Sequence, residues 1–219
     1  MGLKDHRYDF FELEYLNEFP TIWLRDKDLV GVNVTVPHKE NVKRFLDRLD
    51  VSAIKVGAVN VVHRQGRELV GYNSDYIGFK QSLSQWLDGA KVEALVLGTG
   101  GSSKAVQAAL TDLNIDHELV SRKKGSGDIT YGELNQQPEL IKRYQLIVNT
   151  TPLGMHPNVE QLPELPYKLI GEGHYLFDLV YNPGETAFMK AGKQQGAKTK
   201  NGLEMLHLQA EKSWEIWKS

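Results

Sequence analysis

The feature that most constrains this fold is a glycine-rich turn between an apolar segment and a helix, in residues 92–109. Ala94–Leu97 is apolar without alternation, which is typical of a strand buried on both faces of a parallel sheet. Positions without a Cβ atom allow a tight turn and a close approach of the backbone to a ligand. Three such positions follow the strand at once, at Gly98, Gly100 and Gly101.

The helix after this turn is a predicted phosphate site. Ser102 and Ser103 are placed to cap it, and the free N–H groups and dipole at a helix start favour an anion. The pattern G-x-G-G-x-x-x-A is a variant of the fingerprint of dinucleotide-binding folds, with Ser103 at the place of the third glycine. An ordinary turn between a strand and a helix remains an alternative for the loop taken alone.

A basic cluster follows the next predicted strand, His117–Val120, and reads Ser121, Arg122, Lys123, Lys124. In a Rossmann unit the residue about twenty positions after the glycine turn contacts the ribose, and an acidic residue there binds the 2′-hydroxyl of NAD. Cations suit the 2′-phosphate of NADP instead, and arginine can bind it through two hydrogen bonds. A solvated basic loop is the alternative, but the position favours NADP(H) as cofactor.

Composition excludes several classes of protein. The chain has 219 residues, a net charge of −2 and no cysteine, so neither a nucleic-acid partner, a disulfide nor a thiolate metal site is expected. No apolar run approaches the roughly 20 residues that span a bilayer, and the histidines show no metal-ligand spacing. We expect a cytoplasmic monomer or homodimer that binds a small-molecule substrate, no metal, no nucleic acid and no membrane.

Strands and helices alternate over most of the chain, which predicts an α/β protein with a parallel sheet. Val30–Val36 is β-branched and predicts a strand, and His38–Leu49 has the apolar spacing of an amphipathic helix. Residues 58–72 suggest a hairpin, after which Asp75 is a candidate helix cap. Leu203–Trp217 is a predicted amphipathic helix at the end of the chain.

Polar residues at predicted strand ends are the candidates for chemistry. The chain has no Ser-x-x-x-Tyr-x-x-x-Lys pattern, so short-chain dehydrogenase chemistry has no evident place. Ligands of open α/β sheets bind at the ends of strands. Each candidate alone also fits a structural role, but a lysine, an aspartate and amides around one cleft would suit a small polyhydroxylated carbonyl compound. The candidates are Thr35, Lys39, Asn60, Asn73 and Asp75.

Seven short motifs, spread over nearly the whole chain, resemble those of one enzyme family. They lie at Asn33–Lys39, Gly57–Asn60, Gly71–Asp75, Gly98–Ala105, Asn149–Met155, Asp178–Thr186 and Gly202–Gln209. In this order they are similar to the signatures N-V-T-x-P-x-K, G-A-V-N, G-x-N-T-D, G-x-G-G-x-x-x-A, N-[AR]-[TS]-x-x-G-M, D-x-x-Y-x-P-x-x-T and G-x-x-M-x-x-x-Q of the shikimate dehydrogenases.

The resemblance implies the site residues. Lys39 would be the catalytic acid and base, supported by Asp75. The substrate would be held by Thr35, Lys39, Asn60, Asp75, Tyr181 and Gln209. The cofactor NADP(H) would be held by Gly98, Gly100, Gly101, Ser102, Ser103, Ser121, Arg122, Lys123, Asn149, Thr150, Leu179, Tyr181, Gly202 and Met205.

The resemblance also implies the architecture and the reaction. It predicts a two-domain α/β fold, with a Rossmann-type NADP-binding domain at residues 77–202. A smaller α/β substrate domain would be discontinuous, at residues 1–76 and 203–219. The implied reaction is the NADPH-dependent reduction of 3-dehydroshikimate to shikimate, in the biosynthesis of aromatic amino acids through chorismate.

Two departures from the family pattern bear on the function. The family's first strand and helix carry a Ser-x-Ser pair for the substrate carboxylate, and this sequence shows no equivalent, so we expect weaker substrate binding. Ser74 also replaces the usual threonine of N-T-D. Two alternatives therefore stay open: a quinate/shikimate dehydrogenase of broader specificity, and a non-catalytic NADP-binding protein disabled by the missing segment.

Overall fold

A computed structural model describes residues 5–219 as two β-sheets with helices packed against them. The smaller sheet is mixed and has four strands: β1 Gly31–Asn33, β2 Arg48–Leu49, β3 Val61–Gln65 and β4 Glu68–Tyr72. The larger sheet has six strands: β5 Ala94–Leu97, β6 His117–Ser121, β7 Ile129–Thr130, β8 Leu146–Asn149, β9 Tyr175–Asp178 and β10 Lys198–Lys200.

Seven α-helices are found in the described residues: α1 Phe19–Arg25, α2 Val51–Val56, α3 Ser74–Leu87, α4 Gly101–Asp112, α5 Tyr131–Gln136, α6 Ala187–Gln194 and α7 Leu203–Lys218. Short 3₁₀ helices cover Leu16–Glu18, Asn41–Phe45, Pro138–Arg143 and Tyr167–Leu169. No helix within residues 5–219 has the length and apolar character needed to cross a membrane.

The larger sheet is parallel throughout, in the strand order β10-β9-β8-β5-β6-β7. This is the doubly wound order of dinucleotide-binding folds, and it reverses between β5 and β8. Both strands at the reversal are buried along their whole length, as the apolar run in Ala94–Leu97 predicts. The prediction of a two-domain α/β fold with a Rossmann-type sheet is therefore confirmed.

The last helix, α7, packs against α3 and contacts the smaller sheet. It packs closely on α3, where a Cβ atom added at Gly78 would lie 2.8 Å from the carbonyl oxygen of Met205 and 2.9 Å from the backbone nitrogen of Gln209. Near its end, the indole nitrogen of Trp217 donates to the carbonyl of Val62 in β3 (3.1 Å). The predicted domain boundary at residues 76 and 77 falls inside α3 and stays a prediction.

The predicted helix at His38–Leu49 is wrong. These residues form a turn, the 3₁₀ helix Asn41–Phe45 and strand β2. Tertiary contacts override the helical spacing: the ring of Phe45 packs on Phe19, 5.9 Å between centroids, and β2 pairs in parallel with β4. The strand predicted at Val30–Val36 is likewise reduced to the three residues of β1.

Two predicted helix caps are corrected by the structure. Asn73, and not Asp75, caps α3, because its side chain accepts from the backbone nitrogen of Tyr76 (3.0 Å). The Asp75 carboxylate is therefore available for another partner. Helix α4 begins earlier than predicted, at Gly101, with Gly100 as its N-cap and no side-chain cap, so Ser102 and Ser103 lie within the helix.

We expect Gly78→Ala to lower the free energy of unfolding, because the new methyl group meets the backbone of α7 and overpacking costs about 1–3 kcal/mol. Urea unfolding followed by circular dichroism measures the change. Gly132→Ala in α5 is the matched control, since its methyl group meets nothing closer than 3.8 Å and alanine favours a helix. Equal effects of the two substitutions would show that α3 and α7 are not closely packed.

Candidate active site

A cavity of about 330 Å³ lies between the two sheets and collects residues from distant parts of the chain. All six predicted substrate residues line it: Thr35, Lys39, Asn60, Asp75, Tyr181 and Gln209. Five predicted cofactor residues line it: Tyr181, which belongs to both sets, and Ser102, Leu179, Gly202 and Met205. Sequence reasoning missed three further lining residues, Asn33, Val34 and Leu206, although each is adjacent to or within a quoted motif.

Lys39 and Asp75 form an ion pair at the cavity wall. The Lys39 Nζ lies 2.6 Å from the Asp75 Oδ2, and their side chains are only 22% and 19% exposed. Lys39 lies in the turn after β1, where its carbonyl accepts from the backbone nitrogen of Val59 (2.8 Å). Asp75 lies in the first turn of α3, so both charged groups are held by backbone contacts close to them.

A buried hydroxyl, Ser74, connects the two amides of the site. The Asn60 side chain accepts from the Ser74 backbone nitrogen (2.7 Å) and donates to the Ser74 Oγ (3.0 Å). The same Oγ donates to the Gln209 side-chain oxygen (3.3 Å) and lies 3.1 Å from the Ser213 Oγ. Ser74 thus aligns Asn60 from the smaller sheet with Gln209 from α7.

The glycine turn fits a dinucleotide phosphate. Gly98 has a φ of +102°, and a Cβ atom there would lie 3.0 Å from the Thr150 Oγ1. Cβ atoms at Gly100 and Gly101 would meet nothing within 4 Å, so there is free space next to the backbone of the turn. The first N–H groups of α4 have no side-chain cap and are suited to an anion. Ser102 connects this turn to the cavity.

The predicted ribose-phosphate residues lie at the carboxyl end of β6, next to the glycine turn. Ser121 is buried, and its Oγ donates to the carbonyl of Lys123 (2.6 Å), which shapes the loop. The side chains of Arg122 and Lys123 are exposed at this edge of the sheet. Neither lines the cavity, but the edge is where an adenosine ribose lies in the doubly wound fold.

Three predicted cofactor residues direct their side chains into the protein. The Ser103 Oγ accepts from the Gln107 amide (3.1 Å), and the Asn149 amide donates to Asp178 (3.0 Å). The Thr150 Oγ1 donates to the carbonyl of Leu97 (2.6 Å). The side chains of Asn149 and Thr150 shape the loop after β8, whereas that of Ser103 bonds within α4. A contact of any of the three with a cofactor stays a prediction.

Asp178 is a buried carboxylate. The sequence analysis includes it in a motif but assigns it no function. It lies at the end of β9, and three donors contact it, from Asn149, Val180 and Thr186. Burial raises the pKa of Asp178 to about 6. The sequence signal for it is an aspartate that follows apolar residues at the end of a strand.

Comparison with known proteins identifies the family. Residues 2–62 match the family model for the shikimate dehydrogenase substrate binding domain. A shikimate dehydrogenase (NADP(+)) of Methanococcus maripaludis is 39% identical over 205 residues, which cover 86% of this chain and 72% of the relative. The chain belongs to the shikimate dehydrogenase family.

Solved structures of shikimate dehydrogenases share the fold. Shikimate dehydrogenase 1 from Peptoclostridium difficile has a TM-score of 0.77 and 36% identity, covering 95% of this chain and 78% of its own. The shikimate 5-dehydrogenase from Thermus thermophilus, solved with NADP(H) and shikimate, has a TM-score of 0.76 and 31% identity, covering 87% and 74%. The resemblance of the motifs to this family is confirmed.

Proposed function

We propose that this protein reduces 3-dehydroshikimate to shikimate with NADPH, a step in the biosynthesis of aromatic amino acids through chorismate. The observation that carries the proposal is the shared cavity. The Lys39–Asp75 pair lines the same cavity as Leu179, Gly202 and Met205. Relatives at 39% and 41% identity are named shikimate dehydrogenase (NADP(+)), which supports this substrate and cofactor.

Lys39 is the proposed proton donor. Bound NADPH would supply the hydride that reaches the carbonyl carbon of the substrate, so negative charge develops on the carbonyl oxygen. An ammonium at that oxygen stabilises the charge and supplies the proton. Asp75, 2.6 Å from the Lys39 Nζ, orients the ammonium and can accept a hydrogen bond from a substrate hydroxyl.

The uncharged polar groups of the cavity are the proposed contacts to the substrate hydroxyls. Thr35 offers a hydroxyl, and the amides of Asn60 and Gln209 are aligned through Ser74. A hydroxyl-rich ring needs donors and acceptors in fixed places, because a buried polar group without a partner weakens binding. Tyr181 also lines the cavity and is partly exposed, so its phenol is a further candidate contact.

The cofactor would lie along the carboxyl edge of the larger sheet. The turn at Gly98–Ser102 would hold the pyrophosphate, and Arg122 and Lys123 would hold the 2′-phosphate. The nicotinamide would lie against Leu179 and its neighbours in the cavity. Most cofactor contacts would then lie in residues 77–202 and most substrate contacts in residues 1–76 and 203–219, as the sequence predicts. Met205 and Tyr181 are the exceptions.

We expect Arg122→Ala to weaken NADPH binding about tenfold or more, because a hydrogen bond to a charged group contributes about 1.5–3 kcal/mol. NADH lacks the 2′-phosphate, so its weaker binding should not change. Fluorescence titration of both cofactors measures this, with the exposed Lys142→Ala as control. Equal affinity of the native protein for NADPH and NADH would contradict the assignment.

We expect Lys39→Met to lower kcat by at least about 10²-fold, because a positioned proton donor contributes about 10²–10⁴-fold. The loss of NADPH absorbance with 3-dehydroshikimate measures kcat, and NADPH affinity should be retained. Lys27→Met is the control, since Lys27 is exposed and outside the cavity.

The same assay tests the proposed function. Faster turnover of 3-dehydroquinate than of 3-dehydroshikimate would favour the quinate enzyme, and tight NADPH binding without turnover of either would favour a non-catalytic protein. Near-native kcat in Lys39→Met would mean that another group donates the proton.

A further inference from the structure

The buried carboxylate of Asp178 takes no part in the chemistry described above, yet it lies directly before a loop that lines the cavity. Leu179 and Tyr181 of this loop face the cavity, while Asp178 itself points into the protein. We propose that Asp178 is a positioning residue, whose carboxylate holds residues 179–181 in the place that the reaction requires. This inference rests on the proposed function.

Three hydrogen bonds converge on the carboxylate from three different segments. The Asn149 Nδ2 at the end of β8 and the backbone nitrogen of Val180 both donate to its Oδ1, each at 3.0 Å. The Thr186 Oγ1, at the N-cap of α6, donates to its Oδ2 at 2.6 Å. One side chain therefore ties the cavity loop to the neighbouring strand and to the next helix.

Backbone hydrogen bonds to β8 and to the residue before α7 also hold the loop. The backbone nitrogen of Gly202 donates to the carbonyl of Val180 (3.3 Å), and that of Leu179 donates to the carbonyl of Asn149 (3.0 Å). A Cβ atom at Gly202 would collide with the carbonyl oxygen of Leu179. The loop is confined between Asp178 and Gly202, so a change at either side shifts the cavity wall.

The effect of losing the carboxylate would reach a second loop. The Asn149 side chain, which donates to Asp178, also accepts from the backbone nitrogen (3.0 Å) and the Oγ1 (2.6 Å) of Thr151. Thr150 lies between these two residues. Its Oγ1 would be 3.0 Å from a Cβ atom at Gly98 in the glycine turn. The carboxylate thus supports the loop after β9 directly and the loop after β8 through Asn149.

A positioning role and a purely structural role make different demands. Three fixed donors compensate the ion for its burial, and an apolar side chain would leave the Val180 N–H and the Asn149 amide buried without an acceptor. An asparagine keeps one oxygen for these two donors. Because small misplacements of reacting groups lower rates strongly, we expect the loop to affect kcat more than KM.

The experiment compares Asp178→Leu and Asp178→Asn with Ile141→Ala, a cavity-forming change in the same half of the protein but away from the site. Hydrogen exchange by mass spectrometry follows residues 179–182, with strand β5 as internal reference. Steady-state kinetics with 3-dehydroshikimate give kcat and KM, and Tm values ensure that all proteins are compared when folded.

We expect Asp178→Leu to speed exchange at residues 179–182 but not in β5, and to lower kcat about tenfold or more with a smaller change in KM. Asp178→Asn should retain most of the native kcat and most of the protection of residues 179–182 from exchange. Ile141→Ala should lower Tm and leave kcat and the exchange of the loop unchanged.

The inference would be overturned if Asp178→Leu lowered only Tm, as Ile141→Ala does, or if Asp178→Asn lost as much as Asp178→Leu. Should Asp178→Leu fail to fold, Thr186→Val removes one donor, and unchanged loop exchange and kcat in that variant would equally overturn it. An inactive native protein would contradict the proposed function, whereas unchanged exchange at the loop would contradict the role of Asp178 alone.

Discussion

The close packing of α3 on α7 is the constraint on which the rest of the structure depends. The absence of a side chain at Gly78 lets the two helices approach, and α7 carries Met205 and Gln209 to the cavity. At its other face α3 packs on the larger sheet, where Phe79 lies 5.1 Å from Phe177 between ring centroids. Helix α3, which also carries Asp75, therefore sets the distance between the proposed catalytic pair and the proposed cofactor site.

The parts of the fold and site that could be predicted have local signals. The apolar run and glycines of β5 and its turn depend on residues next to one another, so the Rossmann-type sheet follows from the sequence. The resemblance of the motifs predicts the six substrate residues, which range from Thr35 to Gln209 and line one cavity. Without that resemblance, the sequence indicates only polar residues at predicted strand ends, such as Lys39 and Asp75.

The parts that could not be predicted depend on partners far away in the chain. The spacing of His38–Leu49 suits a helix, but the pairing of β2 with β4 and the packing on Phe19 determine the structure there. The sequence assigns Asp178 no role, because the donors to its side chain come from other segments of the chain. Side-chain direction at Ser103 likewise depends on its surroundings, which no local pattern shows.

In the proposed function, one cavity holds the substrate against the Lys39–Asp75 pair and the nicotinamide against Leu179. A crystal structure of the protein with NADP⁺ and shikimate tests it most directly. We expect a substrate hydroxyl within hydrogen-bonding distance of the Lys39 Nζ and the nicotinamide against Leu179. Shikimate bound outside this cavity, or without contact to Lys39 and Asp75, would contradict it.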